Sequence, residues 1–146
     1  MIDLHCHMLP GLDDGARDLD MALQMASLAV ADGITMTVCT PHIYPGRFEN
    51  TLAGIREACE QFQRELDAAG IPLQLTYGAD IQVAPELTQR LVDGTLPTLH
   101  GSRYFLFEPP HHVSLPRLND MVEEALLAGF VPIITHPERL FYVEAD

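Results

Sequence analysis

The sequence predicts an alternating α/β fold, carried by a parallel sheet or a (β/α) barrel. Three observations point that way. Short β-branched or aromatic runs alternate with longer stretches whose apolar residues recur at helical spacing. Glycine closes the helical stretches at Gly33, Gly70, Gly94 and Gly129, where a left-handed stop residue is favoured. Each strand-like run also leads into a histidine or a carboxylate.

In chain order, Ile2 to Leu4 reads as the opening strand. Asp20 to Asp32 places Met21, Met25 and Leu28 on one helical face, with Asp18 as N-cap and Gly33 as stop. Ile34 to Cys39 is a β-branched strand. Asn50 to Ala69 carries the stripe Leu52, Ile55, Cys59, Phe62 and Leu66. Gly70 ends that helix and Ile71 to Tyr77 resumes as strand. Pro85, a favoured first-turn residue, opens a short helix to Val92. Arg103 to Phe107 is a strand, Arg117 to Ala128 a helix, and Phe130 to Thr135 the last strand. No linker or low-complexity tract interrupts the series. A closed barrel takes about 250 residues, so 146 are expected to be part of one.

Composition narrows the function. Hydrophobic residues make up 47% and charged residues 20%, the balance of a globular domain. Eight arginines face 21 acids with no lysine, for a net charge of −13. Phosphate backbones repel such a surface, so nucleic-acid partners are disfavoured. The first residues lack a basic and apolar leader pattern, no apolar run approaches membrane-spanning length, and three cysteines are widely spaced. A reducing, cytoplasmic location is the expectation.

The chemistry-bearing residues fall at strand ends. His5 and His7 follow the first strand, His42 the second, Asp80 the third, Glu108 the fourth and His136 the fifth, at intervals from His5 of 37, 38, 28 and 28 residues. A barrel gathers such ends on its catalytic face. In His5-Cys6-His7 the histidines are two apart, so on a strand they project to one side while Cys6 points away. The turn Asp13-Asp14-Gly15 can return a carboxylate over them. Mixed imidazole and carboxylate ligands suit manganese, iron, zinc or magnesium. The plain alternatives are a loop histidine at 42, a turn or cap residue at Asp80, and a solvent-facing carboxylate at Glu108. Arg139 offers a forked donor for phosphate. His111 and His112, after Pro109-Pro110, read as surface or lid residues, His100 as a structural or exposed turn residue, and the cysteines as buried packing. No C-x5-R, phosphate-binding loop or nucleophile elbow is present.

The run from Met1 to Gly15 resembles the opening of the bacterial polymerase-and-histidinol-phosphatase (PHP) superfamily. More narrowly, it resembles the manganese-dependent tyrosine-protein phosphatases of capsular and exopolysaccharide loci. Thr40-Pro41-His42, Gly78-Ala79-Asp80, Leu96-Pro97-Thr98-Leu99 with Gly101-Ser102-Arg103-Tyr104, Glu108 and His136-Pro137-Glu138-Arg139 match further blocks in order and spacing. The resemblance implies a distorted (β/α)7 barrel with a trinuclear metal centre, of which this chain supplies about the first five strand–helix units. It assigns His5, His7, Asp14, His42, Glu108 and His136 to ligand positions, Asp80 to the metal-bridging carboxylate and Arg139 to the substrate phosphate. Manganese is the implied metal. The implied activity is hydrolysis of phosphotyrosine by a metal-bridged hydroxide, on the tail of a bacterial tyrosine autokinase. The family usually has glutamate where Asp80 stands. It also continues past this length with an Asp-x-His motif and a second arginine, so a single truncated domain is expected. The alternatives are a PHP phosphatase acting on a small phosphomonoester such as histidinol phosphate, or an inactive metal-binding fragment.

Overall fold

A computed structural model describes residues 1–142 as a mixed α/β fold with parallel sheets. Strands β1 (Ile2–Cys6), β2 (Met36–Cys39) and β5 (Gln74–Tyr77) form one sheet in the order β1-β2-β5. Strands β3 (His42–Tyr44), β4 (Phe48–Glu49), β6 (Asp80–Gln82), β7 (Tyr104–Glu108) and β8 (Val131–Ile134) form the second, ordered β4-β3-β6-β7-β8. Every pairing is parallel except the β3–β4 hairpin. Helices α1 (Leu19–Ala31), α2 (Leu52–Ala69), α3 (Leu87–Val92) and α4 (Leu118–Leu127) make the connections. Among the described residues, no helix is long and apolar enough to cross a membrane.

Local chemistry sets the helix ends. Asp18 caps α1 by accepting from the Met21 N–H at 2.9 Å, and Thr51 caps α2 through the Gly54 N–H at 3.2 Å. Gly70 closes α2 at φ 68°, a left-handed conformation that costs glycine little. These are the predicted helices, shifted by a residue or two.

The sheets depart from prediction more than the helices. Two of the predicted strand ends are bends from which a new strand departs. β2 passes into β3 across Thr40-Pro41, and β5 passes into β6 across Gly78-Ala79. Proline has no N–H for the ladder, so pairing breaks there. Hydrogen bonds bracket the break: Thr40 N–H donates to Cys6 O at 2.8 Å, and Gly78 N–H to Cys39 O at 2.9 Å. Gly78 is compelled by space, since a Cβ there would lie 2.8 Å from Leu99 Cδ2 and 3.1 Å from Val38 Cγ1.

The core has two parts. The larger packs Ile55, Phe62 and Leu66 of α2 and Ala22 and Ala26 of α1 against Phe105, Phe107 and Ile81. The smaller joins Val38, Leu99 and Leu106 on the other face. β7 is therefore buried on both faces, as its unbroken run Phe105-Leu106-Phe107 requires. The C-terminal ends of β1 and β7, the starts of β3 and β6, and the turn after β8 carry the polar residues considered next.

Candidate metal centre

His5 and His7 converge because β1 ends irregularly. Its register with β2 slips between Asp3 and Cys6, and such bulges re-aim side chains. Cys6 packs against the hydrophobic core, while the Nε2 atoms of His5 and His7 lie 3.0 Å apart. The predicted division of the His5-Cys6-His7 triplet is therefore the observed one. Burial first, and the Asp3 charge second, push the Cys6 thiol up to about 11.

The loop after β1 folds back tightly. Ala16 N–H donates to His7 O at 3.0 Å. A Cβ on Gly15 would lie 1.9 Å from His7 O, so only glycine permits this return. The loop brings in Asp13, whose Oδ2 accepts from His7 Nδ1 at 2.6 Å and from the His42 N–H at 3.0 Å, while Oδ1 accepts from the Gly15 N–H at 2.9 Å. With Nδ1 held on a carboxylate, His7 turns its Nε2 toward the cluster. Burial pushes the Asp13 carboxyl up, but the His7 hydrogen bond and the two N–H donors outweigh it and hold the group below the usual carboxylate range. Asp13 was not singled out from sequence; its neighbour Asp14 was. Asp14 is 58% exposed, with Oδ1 3.5 Å from His42 Nε2.

Asp80 lies at the centre. It is fully buried as the first residue of β6, not in a turn. Its Oδ1 accepts from Thr135 Oγ1 at 2.9 Å. Its Oδ2 has no hydrogen-bond partner and lies 3.3 Å from His5 Nε2, 3.7 Å from His42 Nδ1 and 3.7 Å from His136 Nε2. Burial raises the Asp80 carboxyl, and the nearby His5, Thr135 and His42 outweigh it, leaving the group below its ordinary range.

His42 opens β3 rather than sitting in a loop. Its Nδ1 is buried without a hydrogen bond, 3.4 Å from Glu108 Oε2. Burial lowers the imidazole, while Glu108, Asp80 and Asp14 together lift it above its ordinary value. Glu108 is buried at the end of β7, not solvent-facing. His136 stands in a left-handed conformation at φ 50° ahead of Pro137, its ring 5.0 Å from that of His5.

Three groups offer ligand atoms within 4.8 Å of one another: His5 with His7 and Asp80, His7 with Asp14 and His42, and His42 with Asp80 and Glu108. Two ligands on one first-row cation stand at most about 4 Å apart at ~2.1 Å each, and the His5–His7, His5–Asp80 and His42–Glu108 separations of 3.0, 3.3 and 3.4 Å fall inside that limit. The spacing, the mixed nitrogen and oxygen donors, and the unpartnered buried atoms of Asp80 and His42 all fit divalent cations.

His111, expected as a surface or lid residue, lies in a loop over the cluster. Its buried Nε2 lies 3.2 Å from Glu108 Oε1, and its ring is 6.0 Å from that of His136. It also lines a cleft of about 460 Å³ that opens from His42 and Glu108 and includes Arg139 on the rim. His112 stacks on Phe141 at 5.0 Å. His100 lies away from the cluster, its Nδ1 sharing a hydrogen bond with Thr76 Oγ1 at 2.6 Å.

Comparison with known proteins identifies relatives of the chain. A family model described as capsular polysaccharide synthesis, CpsB/CapC, matches residues 1–146. The tyrosine-protein phosphatase YwqE of Bacillus subtilis (strain 168) is 40% identical over 141 residues, covering 95% of this chain and 55% of the relative. The tyrosine-protein phosphatase CpsB of Streptococcus pneumoniae is 30% identical over 139 residues, covering 95% and 57%. The chain thus spans about half the length of these curated relatives. A solved structure, from work on YwqE of Bacillus subtilis and CpsB of Streptococcus pneumoniae as unique metal-dependent tyrosine phosphatases, superposes with a TM-score of 0.96. It is 36% identical over 100% of this chain and 59% of its own.

Proposed function

The chain belongs to the CpsB/CapC capsular polysaccharide synthesis family, and from that premise we propose that it carries the metal-binding face of a protein-tyrosine phosphatase. The observation that carries the reading is Asp80 Oδ2, buried, unpartnered and within 3.3 to 3.7 Å of three imidazoles. Such an atom is costly unless a cation meets it. Divalent cations, manganese first, would supply Lewis acidity toward a phosphoryl oxygen and toward water.

In this reading His5, His7, Asp14, His42, Glu108 and His136 would hold the cations, with Asp80 as the carboxylate shared between them. The shorter aspartate still reaches the imidazoles because β6 starts at Asp80 itself and puts its backbone beside β3. Asp13 orients His7 and fastens the start of β3. Arg139, on the cleft rim, would pair with the equatorial phosphoryl oxygens as charge builds on them. Cys6 is a poor candidate nucleophile, because it packs against the hydrophobic core and burial raises its thiol. We further propose that the strands belong to a distorted (β/α)7 barrel, that the protein is cytoplasmic, and that the substrate is the phosphotyrosine tail of a membrane-associated bacterial tyrosine autokinase.

The test is the initial rate of phosphate release from a phosphotyrosine peptide by the manganese-loaded protein, with and without chelator. Loss of the rate in chelator and its return with manganese is the expected result. A rate that ignores chelator overturns metal dependence, and a strong preference for histidinol phosphate redirects the reading to small phosphomonoesters.

A further inference from the structure

The β3–β4 hairpin has no counterpart in the strand–helix pattern, and it forms one wall of the cleft. His42 and Tyr44 are two residues apart on β3, so both face the cluster side. Phe48 pairs with Tyr44 across the hairpin and stacks on the His42 ring at 5.6 Å and 11°. Pro110 and Val113 also line the cleft. The cleft that reaches His42 and Glu108 is thus lined by aromatic side chains of the hairpin together with apolar Pro110 and Val113, a lining suited to an aryl group.

Arg47 sits at the hairpin tip with its guanidinium 5.0 Å from the Phe48 ring centre. Among the described residues it has no ion pair, whereas Arg117 is held by Asp120 and Glu124. The carboxylate nearest in sequence, Glu49, is engaged by the Gly46 N–H at 2.6 Å. Stacking leaves the guanidinium edge free to donate. In a chain of net charge −13, acidic ligands are repelled except where a local cation receives them.

We propose that this hairpin selects the substrate: Tyr44 and Phe48 hold an aryl ring whose phosphate faces the cluster, and Arg47 pairs with an acidic side chain flanking it in the peptide. The assignment rests on the phosphotyrosine reading above and names the residues that set its sequence preference.

Binding of nonhydrolysable phosphonate peptides to the manganese-loaded protein tests it by fluorescence anisotropy. The probes are an aryl phosphonate flanked by glutamates, the same flanked by glutamines, and an alkyl phosphonate flanked by glutamates. The wild type should bind the first about fivefold tighter than the second, the scale of one partly exposed ion pair. That preference should collapse in Arg47→Gln, and the preference for aryl over alkyl should fall in Tyr44→Ala. A glutamate preference that survives Arg47→Gln, or its absence in the wild type, overturns the proposal. Hydrolysis of the parent phosphotyrosine peptide is followed in parallel. The predicted binding pattern without hydrolysis overturns the phosphatase reading and leaves the hairpin assignment standing. Hydrolysis without the pattern overturns the hairpin assignment alone. Failure of every peptide to bind, together with no hydrolysis, overturns both.

Discussion

His100 and His42 are both held against strands, and their polar atoms are treated in opposite ways. His100 Nδ1 shares a 2.6 Å hydrogen bond with Thr76 Oγ1, on the side where α2 covers β5. His42 Nδ1 is buried with no hydrogen bond, facing carboxylate oxygens of Glu108 and Asp80 at 3.4 and 3.7 Å. The first arrangement is complete within the protein. The second leaves a buried ring nitrogen facing carboxylate oxygens without a hydrogen bond, an arrangement that burial penalises unless a positive charge joins them. Residue type does not separate the two histidines; the satisfaction of their ring nitrogens does.

Three substitutions break or sharpen that contrast. Asp80→Asn should have the largest effect, because it removes the central carboxylate. In calorimetric titration its manganese affinity should fall by more than ~100-fold, the upper cost of losing a group that only orients a ligand. In thermal melts, manganese at about a hundredfold excess over its dissociation constant should stabilise the wild type by about 2.7 kcal/mol and leave the variant's midpoint where it was. A variant that keeps the shift would show that the cluster is not built around Asp80.

Asp13→Asn comes next. The amide keeps the shape but weakens the hold on His7 Nδ1, so manganese affinity should drop about 10- to 100-fold with the helices retained by circular dichroism. Affinity equal to wild type would mean that His7 needs no carboxylate to aim it.

His100→Ala should have the smallest effect. It leaves Thr76 Oγ1 without its partner and should lower unfolding stability by about 1 kcal/mol in a denaturant titration. Manganese affinity should not move. A fall in affinity would join the two regions that the comparison separates.

The helices were the most legible part of the sequence, since caps and stops act within a few residues. Asp18, Gly33 and Gly70 do in the structure what their types dictate. The strands were less so. β3 and β4 are three and two residues long, too short for any periodicity to register, and Pro45-Gly46 was the only local sign of the turn between them. In the candidate centre, His5, His7, His42, Asp80, Glu108 and His136 were legible because each follows an apolar run at a recurring interval. Asp13 was not, because adjacent carboxylates look alike until the return of Gly15 onto His7 decides which one turns inward. His111 was hidden by Pro109-Pro110, whose path back to Glu108 is a matter of three dimensions.

By itself, then, the sequence determined which residue types stand at the strand ends, the helix boundaries, and a surface charge that repels anions wherever no cation is held. Those properties follow from local propensity and from composition, which need no partner across the fold. Tertiary structure alone decided that Asp80 is buried with one oxygen on Thr135 and the other bare among three imidazoles, that Asp13 aims His7 while Asp14 stays exposed, and that a hairpin walls the cleft. Each of these joins groups from separate strands or loops, and only the pairing and bending of the two sheets bring them within a few ångströms.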